Sequence, residues 1–181
     1  MQTFAVYVDN KPGVLNRVAS LFRRRAFNIE SLTVGHTETP GLSRMTIVVD
    51  TDDRGARLVE ANLYKLIPVR RVDNITRVPT IGRDLAMIKV AATGDARTQV
   101  MQLVDVYRSR IVDVSPESLV IEATGTEDKI DSLLEVLRPY GVKEMVRTGR
   151  IAMARGNTKA ARRAEPVPGD LMPDDVSIGS V

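Results

Sequence analysis

The stretch Phe4-Ala5-Val6-Tyr7-Val8-Asp9-Asn10-Lys11-Pro12-Gly13-Val14-Leu15 predicts a β-strand that turns directly into an α-helix. Its first five residues alternate between two faces, as in a strand with one buried face. From Val14 onward the apolar residues follow helical spacing and form one stripe, and the polar arginines at 23–25 end it. Pro12 fits this boundary, because the first turn of a helix tolerates proline.

The segments that follow complete a β-α-β-β-α-β order. Residues 27–34 predict a second strand, and its apolar parity changes between Ile29 and Leu32, which indicates a bulge or twist. Pro40-Gly41 predicts the turn into the next strand, because both residues favour turns. The remaining predicted elements of this half are a third strand at 45–49, a second helix at 59–67 that Pro68 stops, and a fourth strand at 69–78.

The same element order begins again in the second half of the chain. Two consecutive ferredoxin-like βαββαβ domains of the α+β class, each a four-stranded antiparallel sheet under two helices, satisfy this order. We therefore predict domains at 1–78 and 84–155, a linker at 79–83 and a mostly disordered tail at 156–181. The predicted elements of the second half are a strand at 86–90, a helix at 100–107, a hairpin of strands at 111–114 and 119–123, a helix at 130–137 that Thr126 can cap, and a strand at 142–146.

Composition narrows the chemistry of this chain. Its 181 residues include no cysteine, which excludes disulfides and thiolate sites and predicts a reducing compartment, the cytoplasm. The single histidine, His36, lies in a polar connection between strands, where a solvated histidine is expected rather than a metal ligand or catalytic base. No apolar run is long enough to span a membrane, and the early first strand predicts no signal peptide. We therefore predict a binding protein with no metal site and no membrane contact.

The formal net charge is +3, and its densest point is Arg23-Arg24-Arg25. Two interpretations remain open. The arginines could contact nucleic acid or an acidic protein surface. They could equally form the exposed end of the first helix, where cations favour the helix dipole. The small overall excess of positive charge favours the second interpretation.

The turn between the first strand and the first helix carries candidate ligand-binding groups. The unpaired N–H groups of a helix N-terminus favour an anion such as a carboxylate, and Gly13 lets a ligand approach the backbone closely. Asn10 could receive an ammonium group, and Val14 and Leu15 could contact a small aliphatic side chain. The same residues are also compatible with a capped helix that binds nothing, and spacing alone does not separate the two.

Three longer strings around this turn occur together: Asn10-Lys11-Pro12-Gly13-Val14-Leu15-Asn16-Arg17-Val18, Asn28-Ile29-Glu30-Ser31-Leu32-Thr33-Val34 and Leu42-Ser43-Arg44-Met45-Thr46. In this combination they resemble one family, the regulatory (small) subunit of acetolactate synthase, also called acetohydroxyacid synthase. The resemblance covers roughly residues 1–155, and shorter matches occur at Lys65-Leu66 and at Ile111-Val112-Asp113-Val114.

The resemblance implies that the first domain is an ACT domain, a small-molecule sensing module that pairs with a second copy of itself. It implies that valine, with leucine and isoleucine as alternatives, binds at this pairing interface and inhibits a separate catalytic large subunit. The implied site comprises Asn10, Gly13, Val14 and Leu15 of one chain and Asn28 and Ile29 of its partner.

The resemblance also implies the chemistry of the partner. The large subunit would carry thiamine diphosphate, Mg2+ and FAD, and would join two pyruvates, or pyruvate and 2-oxobutyrate, early in valine, leucine and isoleucine synthesis. This chain would hold no cofactor, catalyse no reaction of its own and raise the activity of the large subunit. The tail after Arg155 is unlike the shorter ends of bacterial members, and its role is open.

Three other functions are compatible with the same element order. An RNA-recognition module would display stacking aromatics on its central strands, whereas Met45, Ile47 and Val49 have no aromatic neighbours. A stand-alone enzyme would need converging catalytic residues, which the sequence lacks. A free-standing amino-acid sensor that acts on another enzyme or regulator is the closest rival, and co-purification with a thiamine-diphosphate protein would separate the two.

Overall fold

The structure, a computed structural model, describes residues 1–156, in which two βαββαβ units follow one another as predicted. The predicted tail, apart from its first residue, lies outside the described residues. The first unit comprises β1 (Gln2–Asp9), α1 (Val14–Arg24), β2 (Ile29–His36), β3 (Leu42–Val49), α2 (Asp53–Leu63) and β4 (Val69–Asn74). The second comprises β5 (Thr80–Ala91), α3 (Gly94–Val106), β6 (Arg110–Ser115), β7 (Ser118–Gly125), α4 (Glu127–Leu137), a 3-10 turn at Arg138–Tyr140, β8 (Val142–Arg147) and β9 (Ile151–Ala154).

The first sheet is antiparallel and has the strand order β2-β3-β1-β4. Val6 of β1 lies opposite Met45 of β3 and Val72 of β4. These three side chains are buried in one cluster with Val18 of α1 and Val59 of α2. The alternating strand residues and the helical stripes therefore meet in a single core, as their periodicity predicts.

The irregularity predicted in the second strand is confirmed. The register between β2 and β3 shifts between Ile29 and Ser31, so one residue of β2 lacks a partner there. Leu32 packs against the core of the first unit, and the neighbouring Ser31 and Thr33 point to the other face of the sheet, where they bind the second unit.

The second unit repeats this arrangement with the strand order β6-β7-β5-β8. Ile88 of β5 lies opposite Ile121 of β7 and Met145 of β8. The core beneath α3 and α4 includes Val100 and Leu133, both of which are completely buried. Each unit therefore has a hydrophobic core of its own.

The predicted linker at 79–83 is extended strand from Thr80 onward. Residues 80–83 begin β5 and pair with β9, a strand that the sequence analysis did not predict. The second sheet consequently has five strands rather than four. Both segments are strands because they pair with each other, although neither shows the alternation of a half-buried strand by itself. The limits of the two domains stay a prediction.

Two predicted elements of the first unit extend too far toward the C-terminus. The fourth strand ends at Asn74. The Ile75 N–H still donates to the Thr3 carbonyl of β1, but the Thr3 N–H donates to the Thr76 side chain instead of to a main-chain carbonyl. The second helix ends at Leu63, and a tighter bond from the Leu66 N–H to the Leu63 carbonyl closes the chain after it. Ile67, assigned to the helical stripe, is consequently 87% exposed.

The two units meet where the segment that leads into β9 crosses the face of the first sheet opposite its helices. The Arg150 N–H donates to Ser31 Oγ at 2.9 Å, and Thr33 Oγ1 donates to the Arg150 carbonyl at 2.5 Å. Arg44 Nη2 donates to the Ala152 carbonyl at 2.5 Å. A crevice of about 410 Å³ lies along this joint, with Glu30 and Arg150 among its lining residues.

Candidate functional site

The turn between β1 and α1 is held by main-chain hydrogen bonds on both sides. The Asp9 N–H donates to the Pro68 carbonyl at 2.8 Å, and the Asn10 N–H donates to the Gly41 carbonyl at 2.8 Å. The turn therefore sits between the residue that precedes β4 and the residue that precedes β3. These main-chain bonds tie the backbone of the turn to the sheet.

Gly13 is the N-cap residue of α1, and its backbone adopts φ +81° and ψ −7°, in the left-handed region. Glycine adopts this conformation without the steric cost that a Cβ brings. A Cβ built at Gly13 would meet no atom within 4 Å, so the space over the backbone is open. The glycine is required by the backbone angle, and it leaves room for a ligand beside the helix.

No side chain caps the first turn of α1, in contrast to two other helices of the described chain. Asp52 accepts a hydrogen bond from the Gly55 N–H at the start of α2, and Thr126 accepts one from the Lys129 N–H at the start of α4. The first turn of α1 contains no acidic residue either. Apart from the Val14 N–H, which donates to the Lys11 carbonyl, its N–H groups and their partial positive charge are therefore available to an external anion.

The residues predicted to bind an effector have different surroundings. Asn10 is exposed, and its Nδ2 lies 3.4 Å from His36 Nδ1 at the end of β2. Leu15 is 45% exposed, whereas Val14 is only 6% exposed and packs in the core of the first unit. Leu15, and not Val14, is therefore the apolar side chain that this turn presents to a ligand. The Val14 N–H already donates to the Lys11 carbonyl at 3.4 Å.

An ion pair stabilises the β1 end of the same turn. Arg70 of β4 donates to both carboxylate oxygens of Asp9, from Nε at 2.6 Å and from Nη2 at 2.9 Å, and Lys11 Nζ lies 3.5 Å from the same carboxylate. The hydrogen bonds from Arg70 lower the pKa of Asp9 below its usual value, and the charges of Arg70 and Lys11 act in the same direction against partial desolvation. Asp9 is therefore an anion that neighbouring cations already neutralise.

The two remaining predicted residues lie on a different part of the chain. Asn28 precedes β2 and is exposed, with its side-chain amide hydrogen-bonded to Glu30. Ile29 begins β2 and packs partly against the core of the first unit. Both are at the opposite end of β2 from His36, which contacts Asn10. One chain therefore brings Asn10, Gly13 and Leu15 together but not Asn28 and Ile29.

The arginines at 23–25 are exposed at the C-terminal end of α1, as the helix-end interpretation predicts.

The strand residues considered for RNA recognition do not lie on the face of the sheet that could stack bases. Met45 and Ile47 are buried beneath the helices, and the opposite face of the sheet carries Tyr7, with the Arg71 guanidinium 4.0 Å from its ring centroid. This arginine and the segment leading into β9 occupy that face, so it does not offer a free stacking surface.

The part of the chain from residue 1 to 156 contains no group of three acidic or histidine side chains that could hold a metal ion. Nor does any of its helices have the length and apolar character needed to cross a membrane.

Two family models match the two units. The model described as the AHAS small subunit-like ACT domain matches residues 4–71, and the model described as the small subunit of acetolactate synthase matches residues 83–156. The chain is 53% identical over 157 residues to the probable acetolactate synthase small subunit of Archaeoglobus fulgidus, covering 87% of this chain and 98% of that protein. It is 50% identical over 151 residues to the corresponding probable small subunit of Methanothermobacter thermautotrophicus, covering 83% of this chain and 90% of that protein.

A solved structure agrees with these relatives. The crystal structure of the acetolactate synthase small subunit from Thermotoga maritima is similar to this chain with a TM-score of 0.82 and 43% sequence identity. The similarity covers 87% of this chain and 98% of that one, so it includes both units and their connection. On these matches, the chain belongs to the family of acetolactate synthase small (regulatory) subunits, and its first unit is an ACT domain.

Proposed function

We propose that this chain activates the catalytic large subunit of acetolactate synthase in the cytoplasm and makes it sensitive to inhibition by valine. The large subunit, with thiamine diphosphate, Mg2+ and FAD, joins two pyruvates to 2-acetolactate and CO2, or pyruvate to 2-oxobutyrate. This chain takes no part in that chemistry. Membership of the small-subunit family supports the choice of partner. The observation that carries the location of the effector site is the open, uncapped start of α1 beside Asn10.

The groups at this turn complement a free amino acid with a short branched side chain. The N–H groups of the first turn of α1 favour its carboxylate, and the Asn10 side-chain oxygen can accept from its ammonium. The exposed part of Leu15 can contact its aliphatic side chain. Valine, leucine and isoleucine differ by single methyl or methylene groups, worth only about 1–3 kcal/mol in such a pocket. The choice of valine therefore comes from the family resemblance.

A second copy of the chain would complete the pocket. β2 is an edge strand of its sheet, so its outer edge is available for pairing with another strand. If two copies pair antiparallel about the point between Leu32 and Thr33, Ile29 of one copy lies opposite His36 of the other. Because His36 contacts Asn10, this pairing places Asn28 and Ile29 of the second copy near the turn. The proposed site is therefore shared between two chains.

A shared site explains how an effector could regulate a separate enzyme. A ligand that contacts both chains stabilises the arrangement of the dimer in which both contacts are made. A preference of about 1–3 kcal/mol would shift the equilibrium toward that arrangement by roughly 5- to 150-fold, and the activity of the bound large subunit would change with it. The chain would then act as a switch without any catalytic group of its own.

Gly13→Asp tests the site directly. A carboxylate at this position repels the carboxylate of the effector, so we expect the variant to activate the large subunit normally while valine no longer inhibits. Calorimetric titration of the purified chain with valine, leucine and isoleucine measures binding, and assays with the large subunit measure activation and inhibition.

Gly94→Asp is the matched control. Gly94 is also left-handed, with φ +53°, and also has open space around it, but it lies at the start of α3 in the other unit. The control also places an aspartate in the left-handed region at the start of a helix, and it should keep valine inhibition. Full valine sensitivity in Gly13→Asp would place the effector elsewhere. If the activity of the large subunit does not respond to this chain, the free-standing amino-acid sensor becomes the better interpretation.

A further inference from the structure

The strand pairing makes the two units comparable residue by residue. Phe4, Val6 and Val8 occupy the same register positions in β1 that Ala86, Ile88 and Val90 occupy in β5. The next residues confirm the match, because Asn10 N–H donates to the Gly41 carbonyl before β3, and Ala92 N–H donates to the Glu117 carbonyl before β7. Asn10 therefore corresponds to Ala92. Counting the same five positions onward, the exposed Leu15 of the first unit corresponds to Arg97 of the second.

Arg97 fills the crevice between its own helix and the strand ends. Its Nη2 lies 3.0 Å from the Ala92 carbonyl oxygen, 2.6 Å from that of Ser115 and 2.7 Å from that of Pro116, and its Nε lies 3.3 Å from the Ala92 oxygen. All of these acceptors are main-chain oxygens. Among the described residues, no ion pair with a carboxylate includes Arg97. Three converging carbonyl dipoles, rather than a counter-ion, hold this cation.

The corresponding crevice of the first unit is empty of such a group. Leu15 cannot donate a hydrogen bond, so the Asn10 carbonyl and the β2–β3 connection receive no guanidinium from α1. The helix also starts later there: α1 begins at Val14, whereas α3 begins at Gly94, which corresponds to Pro12. The first unit therefore has neither the early helix start nor the cation that the second unit has at this position.

We propose that the side chain of Arg97 fills, in the second unit, the crevice that corresponds to the effector site of the first unit. Its guanidinium lies at the carbonyl of Ala92, the counterpart of Asn10, beside which the ammonium group of a bound amino acid lies in the first unit. Arg97 thus decides which of the two similar units can accept an amino-acid effector. The link to the effector rests on the proposed function, whereas the filling of a carbonyl-lined cation site by Arg97 does not.

Removing Arg97 should create a site for a free guanidinium ion. We expect Arg97→Ala to lower Tm by roughly 4–10 °C, because carbonyl oxygens that are partly shielded from water lose a charged donor. Guanidinium chloride at about 20 mM should restore part of this loss in Arg97→Ala, since a ligand that binds only the folded state raises its stability. The same concentration of sodium chloride should not. Arg110→Ala, which removes an exposed arginine of the same unit, is the matched control and should show neither effect.

Equal responses of the wild type, Arg97→Ala and Arg110→Ala to guanidinium would overturn the proposed cation site. If Arg97→Ala does not fold, Arg97→Lys keeps a single donor cation, and the guanidinium response is then measured on that variant. A response confined to the Arg97 variant supports the proposal.

The reverse exchange tests whether the two crevices are equivalent. Leu15→Arg should place a guanidinium in the open crevice of the first unit and weaken valine binding at least about tenfold in calorimetry. Leu15→Gln, which has a polar but uncharged side chain, should bind valine more tightly than Leu15→Arg. Unchanged valine affinity in Leu15→Arg would overturn the equivalence. If the wild-type chain itself gives no heat with valine, the proposed function fails, and the guanidinium experiment still decides the role of Arg97.

Discussion

The two βαββαβ units share their architecture and differ in the turns that join its elements. Both place an alternating strand pair beneath two helices, and both hold the N–H after the first strand with a carbonyl that precedes the third. In the first unit the turn before α1 is an open glycine bend, whereas in the second a helix and Arg97 close the same place. The periodic apolar residues therefore determine the same fold in both units, and a few turn residues decide which unit can bind a ligand.

The largest effects should come from the two cores, because each unit has one of its own. Leu63 of α2 and Leu137 of α4 occupy corresponding positions, and both are completely buried. Leu63→Ala and Leu137→Ala should each cost about 2–5 kcal/mol in the free energy of unfolding, from lost burial and the cavity left behind. Amide hydrogen exchange should show the loss of protection mainly within the substituted unit.

The control for this pair is Leu58→Ala, on the exposed side of α2, which should cost much less because Leu58 is half-exposed. If both core variants reduced protection equally in the two units, the cores would not act separately. The joint from Arg150 to Ser31 and Thr33 would then bind the units into one cooperative body.

Smaller effects on stability should distinguish the second helices of the two units, α2 and α4, each of which is capped by a side chain. Asp52 caps α2 with an acceptor distance of 2.7 Å, and Thr126 caps α4 at 3.4 Å. Asp52→Ala should cost near 2 kcal/mol and Thr126→Ala nearer 0.5 kcal/mol, the two ends of the usual range of about 0.5–2 kcal/mol, because the carboxylate also favours the helix dipole. Denaturant unfolding of the two variants measures both values. A larger loss for Thr126→Ala would show that cap distance and charge do not rank these helices.

Local periodicity was sufficient to predict the element order, and tertiary pairing explains where it failed. Residues 80–83 and 151–154 are strands because they face each other, and Ala152 is buried against Ala5 and Ile75 from the other unit. No alternation within either short segment indicates this. The end of α2 at Leu63 is likewise set by turn hydrogen bonds after it, which helical spacing does not reveal.

The candidate site was predicted in part, and the missing part has two different causes. The burial of Val14 could be predicted from the sequence, because Val14 lies on the same helical stripe as Val18 and Leu21 and therefore on the face that packs in the core. The role of Arg97 could not be predicted, because nothing in the local sequence indicates that an arginine near the start of a helix will contact several main-chain carbonyls. Only the register of β5 with β7 brings the Ser115 and Pro116 carbonyls to it.

The smallest effect concerns the ion pair between Asp9 and Arg70, which the second unit lacks because Ala91 and Lys143 hold the corresponding positions. The pKa of Asp9 is lowered in the folded chain, so this carboxylate contributes stability above its ordinary value near 4. That contribution is lost as the pH falls through the lower, folded value. We expect Tm to differ between the wild type and Arg70→Ala by a constant small amount from pH 7 down to about pH 5. The difference should shrink below about pH 4 and vanish once Asp9 is protonated in both proteins. Thermal unfolding across this range, with Lys143→Ala as the control from the second unit, measures it. A Tm difference that persisted unchanged to the lowest pH would mean that Arg70 stabilises the turn by packing its alkyl chain rather than by its charge.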